Sequence, residues 1–365
     1  VSGVLLVPDL ALERWPSMDR YAAELARRVP GLERPEEART LAGARYWARY
    51  VRYPRALRRY HPDVVHVADH SYAHCLSAFP GVPSVVTIHD LYPLQVLASG
   101  GRSASGVVRN GLLRWVLGWV KRASLWICGS EFTAGEALRY LALPPARVRV
   151  VRYGVDERFA VPPAKEAVAE RRRGWLGPAA GAGTYVVLHV GNCSERKNVG
   201  TAIEALGVLR RDGLDAYLVQ IGGRFGASHR RAMATARVEA FVRQEPEVAE
   251  DSLVAAYYAA DAMVLPSTYE GFGLPALEAQ AAGVPVVTSG AGGLAEAAGE
   301  AALVTATEPA ALAASLARVL TDPATRTTLI QRGLLHARTM SWNHTASATR
   351  AVYAELLGES ASPGI

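Results

Sequence analysis

Short apolar runs of strand length alternate with longer amphipathic stretches along nearly the whole chain, and this alternation limits the available architectures more than any other feature. Strands buried on both faces read as continuous aliphatic runs, and parallel neighbours need a crossover helix between them. In the first half the runs are Val4–Val7, Val64–Val67, Ser84–Ile88, Leu125–Cys128 and Arg149–Val151. In the second they are Tyr185–Val190, Ala216–Ile221, Glu239–Val242, Ala262–Leu265, Val284–Thr288 and Ala302–Val304. Between them Val199, Ala202, Ile203, Leu206 and Leu209 recur at helical spacing, as do Leu253, Tyr257 and Ala260. The pattern predicts a doubly wound α/β fold, built twice, and 365 residues give each copy enough chain for its own core.

The stretch from Phe159 to Gly183 carries paired prolines, a charged run from Glu170 to Arg173 and an Ala/Gly segment, so it reads as the boundary, with a hinge near Tyr153–Pro163. The expected domains are 1–158 and 159–342. Doubly wound folds bind ligands outside the carboxyl ends of their strands, so two Rossmann-like domains facing across a cleft predict a site between them.

Half the residues are hydrophobic and a fifth charged, a balance that disfavours a disordered chain and an integral membrane protein. Forty basic against 34 acidic residues is too mild a tilt for a nucleic-acid binder. Cys75, Cys128 and Cys193 are too scattered for a disulfide framework and fit a reducing compartment. The run Val1–Val7 has no basic n-region or cleavage site, and Leu112–Val120 is too short to span a bilayer, so a cytoplasmic location is expected.

After the run Ala262–Leu265 comes Pro-Ser-Thr-Tyr-Glu-Gly-Phe-Gly-Leu-Pro-Ala-Leu-Glu, residues 266–278. Gly271 and Gly273 bracket a sharp strand-to-helix turn, and Pro275 suits the first turn of the helix. A helix start there offers free amides to a phosphate, while Glu270 and Glu278 flank the loop with carboxylates that accept hydrogen bonds from vicinal hydroxyls. The bland alternative is a tight turn with two solvated glutamates. A second constellation, His189-Val-Gly-Asn-Cys-Ser-Glu-Arg-Lys-Asn198, follows Tyr185–Val190. Gly191 permits a turn, and the adjacent cations Arg196 and Lys197 suit a diphosphate; Lys197 is one of only three lysines, with Lys121 and Lys165.

Together these motifs resemble the retaining family 4 glycosyltransferases of the GT-B fold, densely in the second half and thinly in the first. The resemblance implies a nucleotide-diphosphate sugar donor and an acceptor hydroxyl on a glycan, a lipid-linked sugar or a small molecule. It implies that Glu278 holds the donor ribose, that Glu270 with Gly271, Phe272, Gly273 and Leu274 binds sugar hydroxyls and diphosphate, and that Lys197 and Arg196 neutralise the departing diphosphate beside Gly191 and Asn192. In Val85-Val-Thr-Ile-His-Asp-Leu-Tyr-Pro93 it places His89 against the transferred sugar, with Asp90 on the acceptor side. Ser130-Glu-Phe-Thr133, Val151–Asp156 and Ser341-Trp342 look like landmarks for a helix start, the hinge and a final crossover that returns 343–365 to the first domain.

Two positions depart from the family pattern. The segment Arg14–Tyr21 has Ser17 and Asp19 where glycines are expected, leaving those side chains to bind hydroxyls on the acceptor side; Asn192 stands where an arginine often follows the glycine. No cofactor and no metal are implied, since the chain has no Asp-x-Asp and His66, His70 and His74 do not share a helix face.

The alternatives are a GT-B phosphorylase or sugar-nucleotide epimerase, or a catalytically silent nucleotide-sugar binding protein. A dinucleotide-binding dehydrogenase is disfavoured because Gly222-Gly223-Arg-Phe-Gly226 lacks the required spacing. The segment Arg39–Arg59 interleaves arginines with Tyr46, Trp47, Tyr50 and Tyr53. It reads either as a peripheral contact with anionic lipid at the inner membrane face or as a solvated helix, its aromatics buried against the domain and broken at Pro54. The second reading is preferred because Arg52 and Tyr53 are not segregated.

Overall fold

A computed structural model of the chain describes residues 3–13, 15–98, 106–177, 181 and 183–358. The chain divides into two compact units, Val1–Gly154 with Trp342–Ile365, and Val155–Ser341. Each is built on one parallel six-stranded sheet.

The first unit contains β1 (Val4–Val7), β2 (Leu32–Glu33), β3 (Val64–Val67), β4 (Ser84–Ile88), β5 (Leu125–Cys128) and β6 (Val148–Val150), in the order β2-β1-β3-β4-β5-β6. The second contains β7 (Tyr185–Val190), β8 (Ala216–Ile221), β9 (Val242–Glu245), β10 (Ala262–Leu265), β11 (Val286–Thr288) and β12 (Ala302–Val304), in the order β12-β11-β10-β7-β8-β9. In both sheets the first strand lies one place or more inside the edge and later strands are added on either side of it. The order therefore reverses between β1 and β3 in one unit and between β7 and β10 in the other, which opens a crevice at the carboxyl ends of those pairs.

The cores follow from the aliphatic runs. Leu5, Val7, Val65, Val67, Val86, Ile88 and Trp126 belong to one buried cluster, and Val187, Ile203, Leu206, Leu218, Val264 and Leu316 to the other. Polar residues interrupt the first core in one connected network. Tyr353 bonds His66 Nδ1 at 2.6 Å, His66 Nε2 meets Thr87 Oγ1 at 2.7 Å, and Thr87 meets Tyr21 at 3.0 Å. Tyr353 lies on the helix Trp342–Leu357, which this network and the bond from Thr345 Oγ1 to the Arg152 carbonyl (2.8 Å) fasten to the first unit.

Several sequence-based element bounds shift, each for a local reason. Glu239–Phe241 is a 3-10 turn, and the strand begins at Val242, where pairing with Leu218 starts. Val284 and Pro285 precede β11, because proline has no N–H to give the ladder. The last strand of the first unit begins at Val148 rather than Arg149, opposite Trp126. β2 has two residues and shows no periodicity in the sequence.

The stretch from Phe159, expected as the boundary, lies within the second unit, and the chain crosses at Gly154–Val155, inside the expected hinge Tyr153–Pro163. Over its described residues the stretch holds the helix Lys165–Leu176, whose Trp175 and Leu176 are buried and whose Arg172 pairs with Asp261 at 2.8 Å, inside the second unit. The chain passes between units at Gly154–Val155 and Ser341–Trp342.

The helix near Pro54 is not broken. Arg45–Trp47, Ala48–Arg52 and Tyr53–Leu57 run on continuously, and the middle segment is wound as a π-helix, so the widened turn absorbs the proline's missing donor. The aromatic residues there are divided rather than buried together: Tyr53 is buried, whereas Tyr46 is 71% and Trp47 56% exposed.

Candidate active site

In the second unit two loops meet at the crevice between β7 and β10. After β7 the chain turns at Gly191 (φ +148°), whose N–H donates to the Ile221 carbonyl at 2.8 Å and whose carbonyl accepts from Gln220 at 2.6 Å. A 3-10 turn over Glu195–Lys197 then delivers both cations, and Asn198 in the left-handed region starts the helix Val199–Arg211. After β10 the loop 266–273 leads into the helix Leu274–Ala281. Its cap residue Gly273 has φ +122°, and a Cβ there would lie 2.6 Å from Leu294 Cδ1, so any other residue would strain the turn.

Glu270, Arg196 and Lys197 form one ion-pair cluster. Lys197 Nζ donates to Glu270 Oε1 at 2.5 Å and Arg196 NH1 to Oε2 at 3.0 Å; Ser267 Oγ adds a bond to Oε1 at 2.8 Å. Burial alone would raise the Glu270 carboxyl, but the two cations and Ser267 outweigh it and hold it below the usual carboxylate range. Two cations thus share the one carboxylate of Glu270 on the neighbouring loop. Glu278, on the helix that follows, is 4% exposed and accepts from Tyr257 Oη at 2.6 Å. Neither glutamate is solvated, which removes the bland reading of this turn. Phe272 is buried, while Gly273 and Leu274 are partly exposed at the start of the helix. Asn192 is exposed, its Oδ1 accepting from the Ser194 N–H at 3.1 Å.

Sequence reasoning missed three polar neighbours of this cluster. Ser267 and Tyr257 are too common in type to signal a role. His189 is the one histidine in β7. It is fully buried, neither ring nitrogen has a hydrogen-bond partner, and burial together with Lys197 pushes its pKa down to about 3.

In the first unit His89 and Asp90 follow β4. His89 is 6% exposed and both ring nitrogens are engaged: Nε2–H donates to the Ala68 carbonyl at 2.8 Å, so Nδ1 accepts from Tyr153 Oη at 2.7 Å. Burial lowers its pKa despite the attraction of Asp69, so the imidazole is neutral. Asp90 accepts from the Tyr92 N–H at 3.2 Å. Ser17 and Asp19 are exposed in the first turn of the helix Pro16–Arg28, while Arg14 lies outside the described residues. His66 and His74 are tied separately, to Tyr353 and Thr87 and to the Arg49 carbonyl. Among the described residues no group of three or more His, Cys, Asp or Glu side chains is placed to hold a metal ion.

The family models locate this chain. Residues 178–335 match the model described as glycosyl transferases group 1, and residues 10–159 match glycosyltransferase family 4. A glycogen synthase of Mycobacterium tuberculosis is 35% identical over 81% of this chain and 69% of its own length. The chain belongs to this family of glycosyltransferases. A D-inositol 3-phosphate glycosyltransferase of Salinispora arenicola is 35% identical over 75% of this chain, though the match spans only 64% of that relative. Among solved structures, sucrose-phosphate synthase from Thermosynechococcus elongatus (TM-score 0.74, 20% identity) and Anabaena HepE in complex with UDP and glucose (TM-score 0.75, 17% identity) each match over 98% of this chain and their own full length. The fold is GT-B.

Proposed function

We propose that this protein is a retaining glycosyltransferase that moves a sugar from a nucleotide-diphosphate sugar to an acceptor hydroxyl. The observation that carries the reading is the Arg196–Lys197–Glu270 cluster at the β7/β10 crevice, beside the start of the helix Leu274–Ala281. Departure of the diphosphate develops negative charge, and Arg196 and Lys197 beside the positive end of the helix Leu274–Ala281 support stabilising it. Glu270 keeps both cations aimed and gives up part of their attention when the diphosphate arrives. Glu278, held by Tyr257, takes the ribose hydroxyls. The charge neutralisation rests on arginine and lysine, so the reading is metal-independent. His89, with both ring nitrogens held, enters as a rigid neutral group that positions the sugar rather than as a proton acceptor.

Retention follows from the family alone, with front-face attack by the acceptor hydroxyl and the leaving phosphate taking its proton. The relatives support a donor of the UDP-glucose type, since one HepE structure is a complex with UDP-glucose, and a cyclitol or glycan acceptor. The test is incubation with UDP-, ADP- and GDP-sugars plus candidate acceptors, reading nucleoside diphosphate release and the product anomer by proton NMR. An inverted product, or hydride or phosphorolytic chemistry instead of transfer, overturns the reading; activity that survives a chelator supports metal independence and activity lost to it defeats that part.

The exposed aromatics support a peripheral membrane contact at the cytoplasmic face. Tyr46 stacks on Tyr50 with ring centroids 6.1 Å apart, Tyr50 meets Trp115 at 6.1 Å, and Trp115 is 45% exposed. In the stretch Arg39–Arg59, Arg39, Arg52, Arg55 and Arg58 are exposed, while Arg45, Arg49 and Arg59 are paired with Glu13 and Glu37. Cationic surface with interfacial aromatics suits anionic lipid. Co-sedimentation with phosphatidylglycerol vesicles that fades in high salt supports this; equal or absent binding to phosphatidylglycerol and phosphatidylcholine vesicles overturns it. Among the described residues no helix is long and apolar enough to cross a membrane.

A further inference from the structure

The carboxyl edge of the first unit's sheet holds a second polar cluster, which the reading above does not use. β1 and β3 pair in parallel with Val7 opposite Val67, and the Ala68 N–H donates to the Val7 carbonyl at 2.9 Å. Asp9 and Asp69, each two residues past that pair, therefore leave the sheet side by side. They do so where the strand order reverses, the place at which doubly wound sheets take ligands.

The two carboxyls differ in what they touch. Asp69 accepts from the Ser71 N–H at 2.5 Å, and His70 Nδ1 lies 3.6 Å from the same oxygen. Asp9 is 5% exposed, and neither of its carboxyl oxygens has a hydrogen-bond partner. A buried acid without a partner is a group that a ligand hydroxyl would satisfy. Burial raises the Asp9 carboxyl most, and Asp69, Asp19 and Glu13 raise it further against the opposing pull of Arg49. Arg49 is engaged through its two terminal nitrogens, NH1 donating to Glu13 at 3.1 Å and NH2 to the Ser71 carbonyl at 2.7 Å, while its Nε has no partner; the guanidinium lies 4.2 Å from the Tyr72 ring centroid. Arg45 is paired with the same Glu13.

Resting on the transferase reading, we propose that Asp9 and Asp69 form the acceptor subsite of the first unit, binding vicinal hydroxyls of an uncharged polyol and rejecting a phosphorylated one. Each carboxyl offers acceptor oxygens to the ligand hydroxyls, and neither oxygen of Asp9 is taken up by the protein. A phosphate placed there would face Asp69 with Asp19 and Glu13 nearby, while the terminal nitrogens of Arg49 are already held by Glu13 and the Ser71 carbonyl.

The experiment is calorimetric titration of the full chain, in the presence of saturating nucleoside diphosphate, with two matched pairs: glucose against glucose 6-phosphate, and myo-inositol against myo-inositol 1-phosphate. The expected result is at least tenfold tighter binding of the uncharged member of one pair. Asp9→Asn should weaken that binding at least tenfold, and Asp69→Asn should narrow the gap to the phosphorylated member. Equal or tighter binding of the phosphorylated probes overturns the proposal. So does wild-type affinity in both variants, or failure of all four probes to bind while the nucleotide does. If Asp9→Asn fails to fold, the change in preference in Asp69→Asn still decides. Failure of the wild type to bind any nucleoside diphosphate strikes instead at the transferase reading itself.

Discussion

Lys197 Nζ lies 2.5 Å from Glu270 Oε1, so the cation given to the leaving diphosphate is held in advance by the carboxylate on the neighbouring loop. Such pre-positioning removes the need to reorganise during reaction, and one electrostatic donor of this kind is typically worth about 2.7–4 kcal/mol of transition-state stabilisation. Lys197→Met should lower kcat about 100- to 1,000-fold, measured by nucleoside diphosphate release. An unchanged kcat would show that the ion pair is only structural.

Glu278 and Tyr257 make a different prediction. Their bond at 2.6 Å fixes a buried carboxylate on the second turn of the helix Leu274–Ala281. Glu278→Gln should raise the donor KM or Kd about 10- to 100-fold, the scale of a hydrogen bond to a charged group. Tyr257→Phe should shift it less, because it leaves the carboxylate in place. A loss confined to acceptor affinity would contradict the assignment.

Two buried groups predict how stability falls in acid. His66 is held neutral, its pKa pushed down to about 3 by burial, so the unfolded chain binds the proton more readily than the folded one. Its contribution is complete above the ordinary histidine range and is lost progressively from about pH 6.5 down to about 3, by up to about 1.4 kcal/mol per pH unit. Glu270, held below the usual range by Lys197 and Arg196 against burial, contributes above the ordinary glutamate range and loses that contribution only as pH falls through its folded value. Chemical denaturation across pH 3–8 should show His66→Phe flattening the upper part of the decline and Glu270→Gln the lower part. Unaltered profiles would refute both.

Gly273→Ala tests the backbone of the loop. With φ +122° and Leu294 Cδ1 only 2.6 Å from the new methyl position, the substitution should cost about 1–3 kcal/mol and lower Tm by several degrees in a thermal melt. A wild-type Tm would mean that the turn relaxes without consequence.

The fold was readable because β1, β3, β4, β7, β8 and β10 are runs dominated by apolar residues, whose burial on both faces calls for a parallel sheet wrapped by helices. The elements that escaped are those without periodicity. β2 has two residues, and the widened turn at Ala48–Arg52 keeps the helix intact through Pro54 by a geometry that sequence does not encode as a pattern. In the site, Arg196, Lys197, Glu270 and Glu278 stood out because charged residues next to glycines after a strand have few structural uses. Asp9 and Asp69 did not, since an aspartate after a strand is ordinary. Only the parallel register of Val7 with Val67 places the two side by side.

The central claim is that the β7/β10 crevice binds the diphosphate of a nucleotide sugar. The most direct measurement is calorimetric titration of UDP, ADP and GDP into the wild type and Lys197→Met. The account predicts saturable binding of at least one of them by the wild type and at least a tenfold loss in the variant. No binding by the wild type, or equal affinity in both proteins, would contradict it.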